Sequence, residues 1–211
     1  MIDTSSDAET LLKEGFAILS AREFLNDPYV VRDAPGVYII LLQGAADIFT
    51  LACFDAMEIS ATWRVRGHDH IYTGESVGVR SRLLHHLLGT IRLSNFRHSL
   101  LALEFVYKAL WGSDEADLSK LEQRFSEWII PRALLAYKIC PLIGEVEANI
   151  IKRSSSPLNI KGRARSPATL RLKRARAALT DHVRSTGQLG KAISKPRSAW
   201  LLDSVKYQRA G

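Results

Sequence analysis

Cysteine is scarce in this chain of 211 residues: Cys53 and Cys140, flanked by Phe, Ala, Ile and Pro, are the two it has. Two thiols cannot build a disulfide framework or a four-thiolate metal site, so a reducing interior is the default. No apolar run approaches the roughly 18 residues that span a bilayer. The opening MIDTSSDAETLLKEG has neither a basic leader nor an apolar core. The expectation is a cytoplasmic protein with no membrane partner. No Gly-Lys-Ser/Thr phosphate loop and no Gly-x-Gly-x-x-Gly turn occur, which leaves nucleotide hydrolysis and dinucleotide redox chemistry without support. There is no internal repeat.

What is present is a globular composition, 46% hydrophobic and 24% charged, with a lopsided charge. Residues 150–211 carry 15 Lys or Arg against 2 Asp, a net +13, whereas residues 1–149 carry 14 against 20, a net of −6. So concentrated a basic segment attracts a polyanion, with nucleic acid the first expectation and an acidic membrane surface the second. Its plainer reading is a solubilising tail.

Periodicity gives the coarse organisation. An amphipathic helix is expected from Ala8 to about Ser20, on Leu11, Leu12, Phe16, Ile18 and Leu19. GVYIILL, Gly36 to Leu42, reads as a buried strand after Pro35, with further strands possible at 49–54 and 59–65 and another at His70–Thr73. Helical spacing follows: Val79, Leu83, Leu84, Leu87 and Leu88 on one face, capped by Ser76. Later helices are expected over 96–110, from a cap at Ser113 to Trp128, over Ile143–Arg153 and over Ala168–Val183, with a short strand at Ala133–Cys140.

Two tripeptides stand out, Gly36-Val37-Tyr38 and Tyr72-Thr73-Gly74, followed in order by Arg82, His86 four residues later, Glu147 on a predicted helix, and Asn159 in Pro157-Leu158-Asn159. Each is weak alone: the tyrosines read equally well as strand aromatics, and Arg82 and Glu147 as solvated helix residues. As an ordered set they resemble the GIY-YIG endonucleases over about residues 34–165. The match departs from the family pattern in two respects: Tyr72 lies 34 positions after Tyr38 instead of across a short hairpin, and Thr73 stands where isoleucine is usual, a β-branched residue that keeps the strand. The first implies an insertion at about 43–67.

The resemblance implies an α/β (α+β) domain, a small mixed or antiparallel sheet flanked by helices, with a basic helical C-terminal extension. The organisation expected is an N-terminal helical segment over 1–33, a nuclease domain over 34–165 and an extension over 166–211. The implied activity is hydrolysis of phosphodiester bonds in DNA with Mg or Mn as cofactor. Such a reaction needs an activated water, a counter-charge for the developing phosphoryl anion and stabilisation of the leaving oxygen. Glu147 is the candidate metal ligand, in line with Ile143 and Ile151, and Glu145 is the alternative. Arg82 would hold the scissile phosphate through its planar fork. Tyr38 would act as base or orient the water, with Tyr72 supporting it; as a base it needs nearby positive charge to lower its pKa. His86 would shuttle a proton or bond Tyr38, and Asn159 would pin the catalytic loop.

Lys161, Arg163 and Arg165 follow Asn159 directly, and Arg171, Lys173, Arg174 and Arg176 fall on the predicted basic helix. These are the expected nucleic-acid contacts, gripping phosphates without reading bases. The histidine pairs His68/His70 and His85/His86 lack a cysteine or carboxylate at the spacing of a zinc site. Three alternatives stay open: a nucleic-acid-binding module without catalysis, a toxin or effector nuclease restrained by a protein partner, and an RNA-directed enzyme.

Overall fold

The structure, a computed structural model, describes residues 4–45, 63–107, 118–154, 156–160 and 167–185. Along the chain run α1 (Thr4–Lys13), β1 (Ala17–Ser20), α2 (Ala21–Asn26), β2 (Gly36–Gln43), β3 (Arg64–Val65), β4 (His68–Ser76), α3 (Val79–Leu88), α4 (Asn95–Tyr107), α5 (Leu118–Ile129), β5 (Ala133–Ile139), α6 (Ile143–Arg153) and α7 (Pro167–Ser185). The strands form one five-stranded sheet in the order β1-β5-β2-β4-β3, antiparallel throughout. β2 is central, and Gly36 to Leu42 are all buried. That is why GVYIILL is continuously apolar: both of its faces are covered.

Alternation divides β2 between two cores. Tyr38, Ile40 and Leu42 pack with α3, α4, α5 and α7, through Leu83, Leu87, Phe96, Phe125, Leu172 and Leu179 among others. Val37, Ile39 and Leu41 pack with Leu11, Phe16, Leu134 and Ile150. The basic helix α7 is thus part of the main core, buried along Ala168, Leu172, Ala175, Leu179 and Val183. Each of its buried leucines is worth about 1.5–3 kcal/mol. Among the described residues no helix is long and apolar enough to cross a membrane.

Several expectations need correction. The N-terminal helix stops at Lys13, because Gly15 takes φ +82 and the Phe16 amide bonds back to the Leu11 carbonyl; Ala17–Ser20 then pairs with β5 as an edge strand. Ser20 and Glu23 form a capping box that starts α2. Ser76 does not cap α3. Its hydroxyl closes a turn with Gly78, and Asp33 reaches from the preceding loop to accept from the Ser81 amide at 3.0 Å and hydroxyl at 2.5 Å. Of the strand expected over 59–65, only Arg64–Val65 is a strand among the described residues. The expected strand at 49–54 and the cap at Ser113 lie outside the described residues.

Candidate active site

β2 and β4 bring the two tripeptides together. Their register sets Tyr38 opposite Gly74 and Ile40 opposite Tyr72, so both tyrosines stand on the α3/α4 face with ring centroids 6.3 Å apart. Gly74 is required sterically: a Cβ there would overlap the Tyr38 hydroxyl. Between Ile40 and Leu41 the register slips by one residue, a bulge at Ile71. Simple alternation would place His70 on the face of Tyr72; the bulge turns it to the opposite face, beside Thr73.

The Tyr38 hydroxyl is a junction. His86 Nε2 lies 2.8 Å from it, and Arg82 Nε donates to it at 3.4 Å. Arg82 and His86 are one helical turn apart on α3 and so address the same point. Each is tied at its far end: Arg82 Nη1 donates to the Leu93 carbonyl at 2.7 Å, and His86 Nδ1 meets Ser94 Oγ at 2.6 Å. Burial first, then the neighbouring Tyr72, pushes the Tyr38 phenol above its usual value, against the charge and hydrogen bond of Arg82. Burial also raises Tyr72, again opposed by Arg82. Burial and the Arg82 charge hold His86 well below the usual imidazole value, so it is neutral.

Glu147 is half-buried on α6, within electrostatic reach of both phenols, which its charge raises. The buried line of α6 is Ile143, Val146 and Ile150, not Ile143 and Ile151, so Glu147 borders the packed face; Glu145 is exposed. Asn159 acts on the backbone: its Oδ1 accepts from the Thr73 amide at 2.8 Å and its Nδ2 donates to the Thr73 carbonyl at 2.7 Å. With the Leu158 amide on the Ile71 carbonyl, this segment holds the free edge of β4 beside Tyr72.

The structure therefore brings Tyr38, Tyr72, Arg82 and His86 together, with Glu147 in electrostatic reach of the two phenols and Asn159 on the edge of β4. Of the basic residues expected to touch nucleic acid, Lys161, Arg163 and Arg165 lie outside the described residues. Lys173 and Arg174 are exposed, Arg171 is half-buried, and Arg176 is half-buried with its charge acting on Tyr72.

Sequence reasoning missed residues 93–98, which support the whole pocket. Leu93 and Ser94 tie Arg82 and His86; the Phe96 ring packs on Tyr72 at 5.6 Å and on His86 at 5.5 Å. Arg97 is fully buried beneath them, donating to the Leu87 and Glu122 carbonyls and Ser126, and desolvation lowers its pKa to about 10. A serine just before an apolar helix was the available signal: Ser94 Oγ accepts from the Arg97 amide at 3.0 Å as the N-cap of α4.

Among the described residues no three His, Cys, Asp or Glu side chains cluster as a protein-only cage. One half-exposed carboxylate beside phenolic oxygens instead fits a hard cation that keeps several waters and takes its other ligands from phosphate, as Mg and Mn do.

No curated protein and no solved structure matches the chain. The family model of the GIY-YIG catalytic domain does match it, over residues 36–178, from the first glycine of β2 into α7 and so across every residue of the pocket described above. With two strand tyrosines, an arginine and a histidine on one helix turn and a glutamate on a later helix, this chain belongs to the GIY-YIG family of nuclease-type hydrolases.

Proposed function

We propose that the protein is a divalent-metal-dependent endonuclease that hydrolyses phosphodiester bonds in DNA at this pocket. The observation that carries the reading is the Tyr38 hydroxyl, held between His86 Nε2 at 2.8 Å and Arg82 Nε at 3.4 Å with the Glu147 charge acting on it. A nucleic-acid substrate is supported by the +13 of residues 150–211.

Burial raises the Tyr38 pKa, so a free phenolate is not the base. Tyr38 works as a neutral relay: its oxygen takes the proton of the attacking water while its own proton passes to the neutral His86 Nε2. In this step the His86 Nδ1–H donates to Ser94 Oγ, which fixes the tautomer. Arg82 grips the scissile phosphate, and its hold on Leu93 leaves one edge of the guanidinium for that task. Tyr72, packed edge-on to His86 and tilted against Phe96, shapes the wall against which the water is placed. Glu147 would hold the ion, which supplies positive charge for the leaving oxygen. Asn159 keeps the Thr73 peptide, and with it Tyr72 and Gly74, in register.

The test is incubation of supercoiled plasmid with the full-length protein and Mg or Mn. Wild type is expected to nick or linearise it, and Glu147→Ala to lose at least about 10²-fold in rate with the fold intact. Cleavage that survives in Glu147→Ala moves the ligand role to Glu145. A wild-type protein that retains plasmid without ever cutting it is a binding module.

A further inference from the structure

Of the cations on α7, Arg176 differs from its neighbours in what holds it. It lies at the edge of the buried stripe, next to Ala175, and turns toward α4 instead of solvent. Nη2 donates to Asn95 Oδ1 at 2.8 Å and Nε donates to His98 Nδ1 at 3.3 Å. His98 is fixed in turn, with Nε2 3.2 Å from the Arg176 carbonyl and 3.2 Å from Thr180 Oγ1. Burial and the Arg176 charge lower the His98 pKa, which keeps Nδ1 an acceptor.

Two features of this arrangement point to a ligand. First, Asn95 lies between Ser94, which ties His86, and Phe96, which packs on Tyr72, so Arg176 is mounted on the same six residues that hold Arg82 and His86. Second, among the described residues no carboxylate lies within ion-pair distance of Arg176. Arg64, Arg80, Arg153 and Arg184 each have one, in Asp69, Asp33, Glu14 and Asp181. Arg82 is held the same way, by a hydroxyl and a carbonyl. A half-buried guanidinium oriented by neutral acceptors keeps its whole charge for an anion, and Nη1 of Arg176 bonds no described residue. Arg97 is the contrast, its guanidinium wholly inside and spent on carbonyls.

We propose that Arg176 is a second phosphate-binding residue of the pocket, holding the backbone phosphate next to the one that Arg82 grips, so that a nucleic-acid strand crosses Tyr72 between two guanidiniums. The inference rests on the nucleic-acid reading of the site. It separates Arg176 from the merely electrostatic charges on α7: Lys173 and Arg174 are exposed and attract any polyanion.

The experiment reads binding, not cleavage. A fluorescent single-stranded DNA of five nucleotides is titrated against full-length Tyr38→Phe protein without divalent ions. Arg176→Ala is expected to raise Kd about tenfold, and Arg176→Lys to fall well short of wild type, since an ammonium cannot bond Asn95, His98 and a phosphate together. Lys173→Ala and Arg174→Ala, which remove only a long-range attraction, are expected to raise Kd far less than Arg176→Ala. An Arg176→Ala value equal to that of Arg174→Ala overturns the proposal. Should Arg176→Ala unfold, Asn95→Asp decides: it sets a carboxylate on Arg176 at constant shape, and an unchanged Kd for it also overturns the proposal. A protein that shows this binding pattern yet never cuts DNA sinks the nuclease reading alone; one that cuts without the pattern sinks this inference alone.

Discussion

His86 and His70 make nearly the same local structure on opposite faces of the sheet. Each is fully buried, and each has both ring nitrogens against hydroxyls: His86 between Ser94 and Tyr38, His70 between Ser154 on one side and Thr73 and Ser156 on the other. Burial lowers both pKa values, that of His70 to about 3. The difference lies in the third neighbour. The hydroxyl beyond His86 belongs to Tyr38, which also meets Arg82 and the charge of Glu147. Those beyond His70 belong to a cluster closed by Trp63, whose ring lies 5.7 Å away. A neutral buried imidazole between hydroxyls is therefore not a reaction centre in itself. It becomes one where its partner hydroxyl also touches a cation and faces a place for substrate.

The sharpest way to break this comparison is to make the same substitution at both histidines. His86→Gln is expected to slow DNA cleavage by about 10²-fold or more, because the proton leaving Tyr38 loses its acceptor. His70→Gln should leave the rate of the folded protein near wild type and cost about 1–2 kcal/mol of stability, from a poorer fit among its three hydroxyls. Plasmid cleavage and urea unfolding of the two variants side by side decide it. Equal loss of activity at both sites would mean that the two faces are not functionally distinct.

Asn159 ties the faces together, since the Thr73 peptide it clamps carries a side chain on the His70 face and lies between Tyr72 and Gly74 on the other. Asn159→Ala leaves that buried amide and carbonyl unpaired, with an expected cost of about 2 kcal/mol in unfolding free energy. A loss below about 0.5 kcal/mol, the range of an ordinary surface change, would show that solvent replaces the clamp.

How far the sequence announced this arrangement depends on which forces set each part. GVYIILL was legible because a strand covered on both faces favours a continuous run of large apolar residues, and Ile143–Arg153 because its helical stripe ends in a serine run. The ordered tyrosines, arginine, histidine and glutamate were legible as a set. Three features were not. β1 hides behind a helical-looking pattern because one positive-φ glycine at position 15 redirects the chain. The bulge at Ile71 carries no mark in composition, yet it decides which face His70 takes. The support from residues 93–98 is tertiary: Leu93 contributes a carbonyl and Arg97 a buried guanidinium, neither of which periodicity can assign.

The smallest effect reads the sealing of His70 through proton uptake. In the folded protein burial pushes the His70 pKa down to about 3, whereas in the unfolded chain it takes a proton near 6.5. Because the folded value is the lower one, the contribution of His70 to stability is complete above pH 6.5. It is lost as pH falls from there toward 3, by up to about 1.4 kcal/mol per pH unit, while only the unfolded state is protonated. His86 adds to the same acid limb. Subtracting the pH dependence of His70→Gln from that of wild type removes the carboxylates, which are common to both. Between pH 6.5 and 4.5 the wild-type unfolding free energy should therefore fall more steeply than that of His70→Gln, by about 1 kcal/mol per unit. Parallel curves would mean that His70 is charged inside the fold. Thr73 and Ser156 would then have to accept from an imidazolium whose Nδ1–H points at Ser154, and the second face would be a charged site instead of a sealed one.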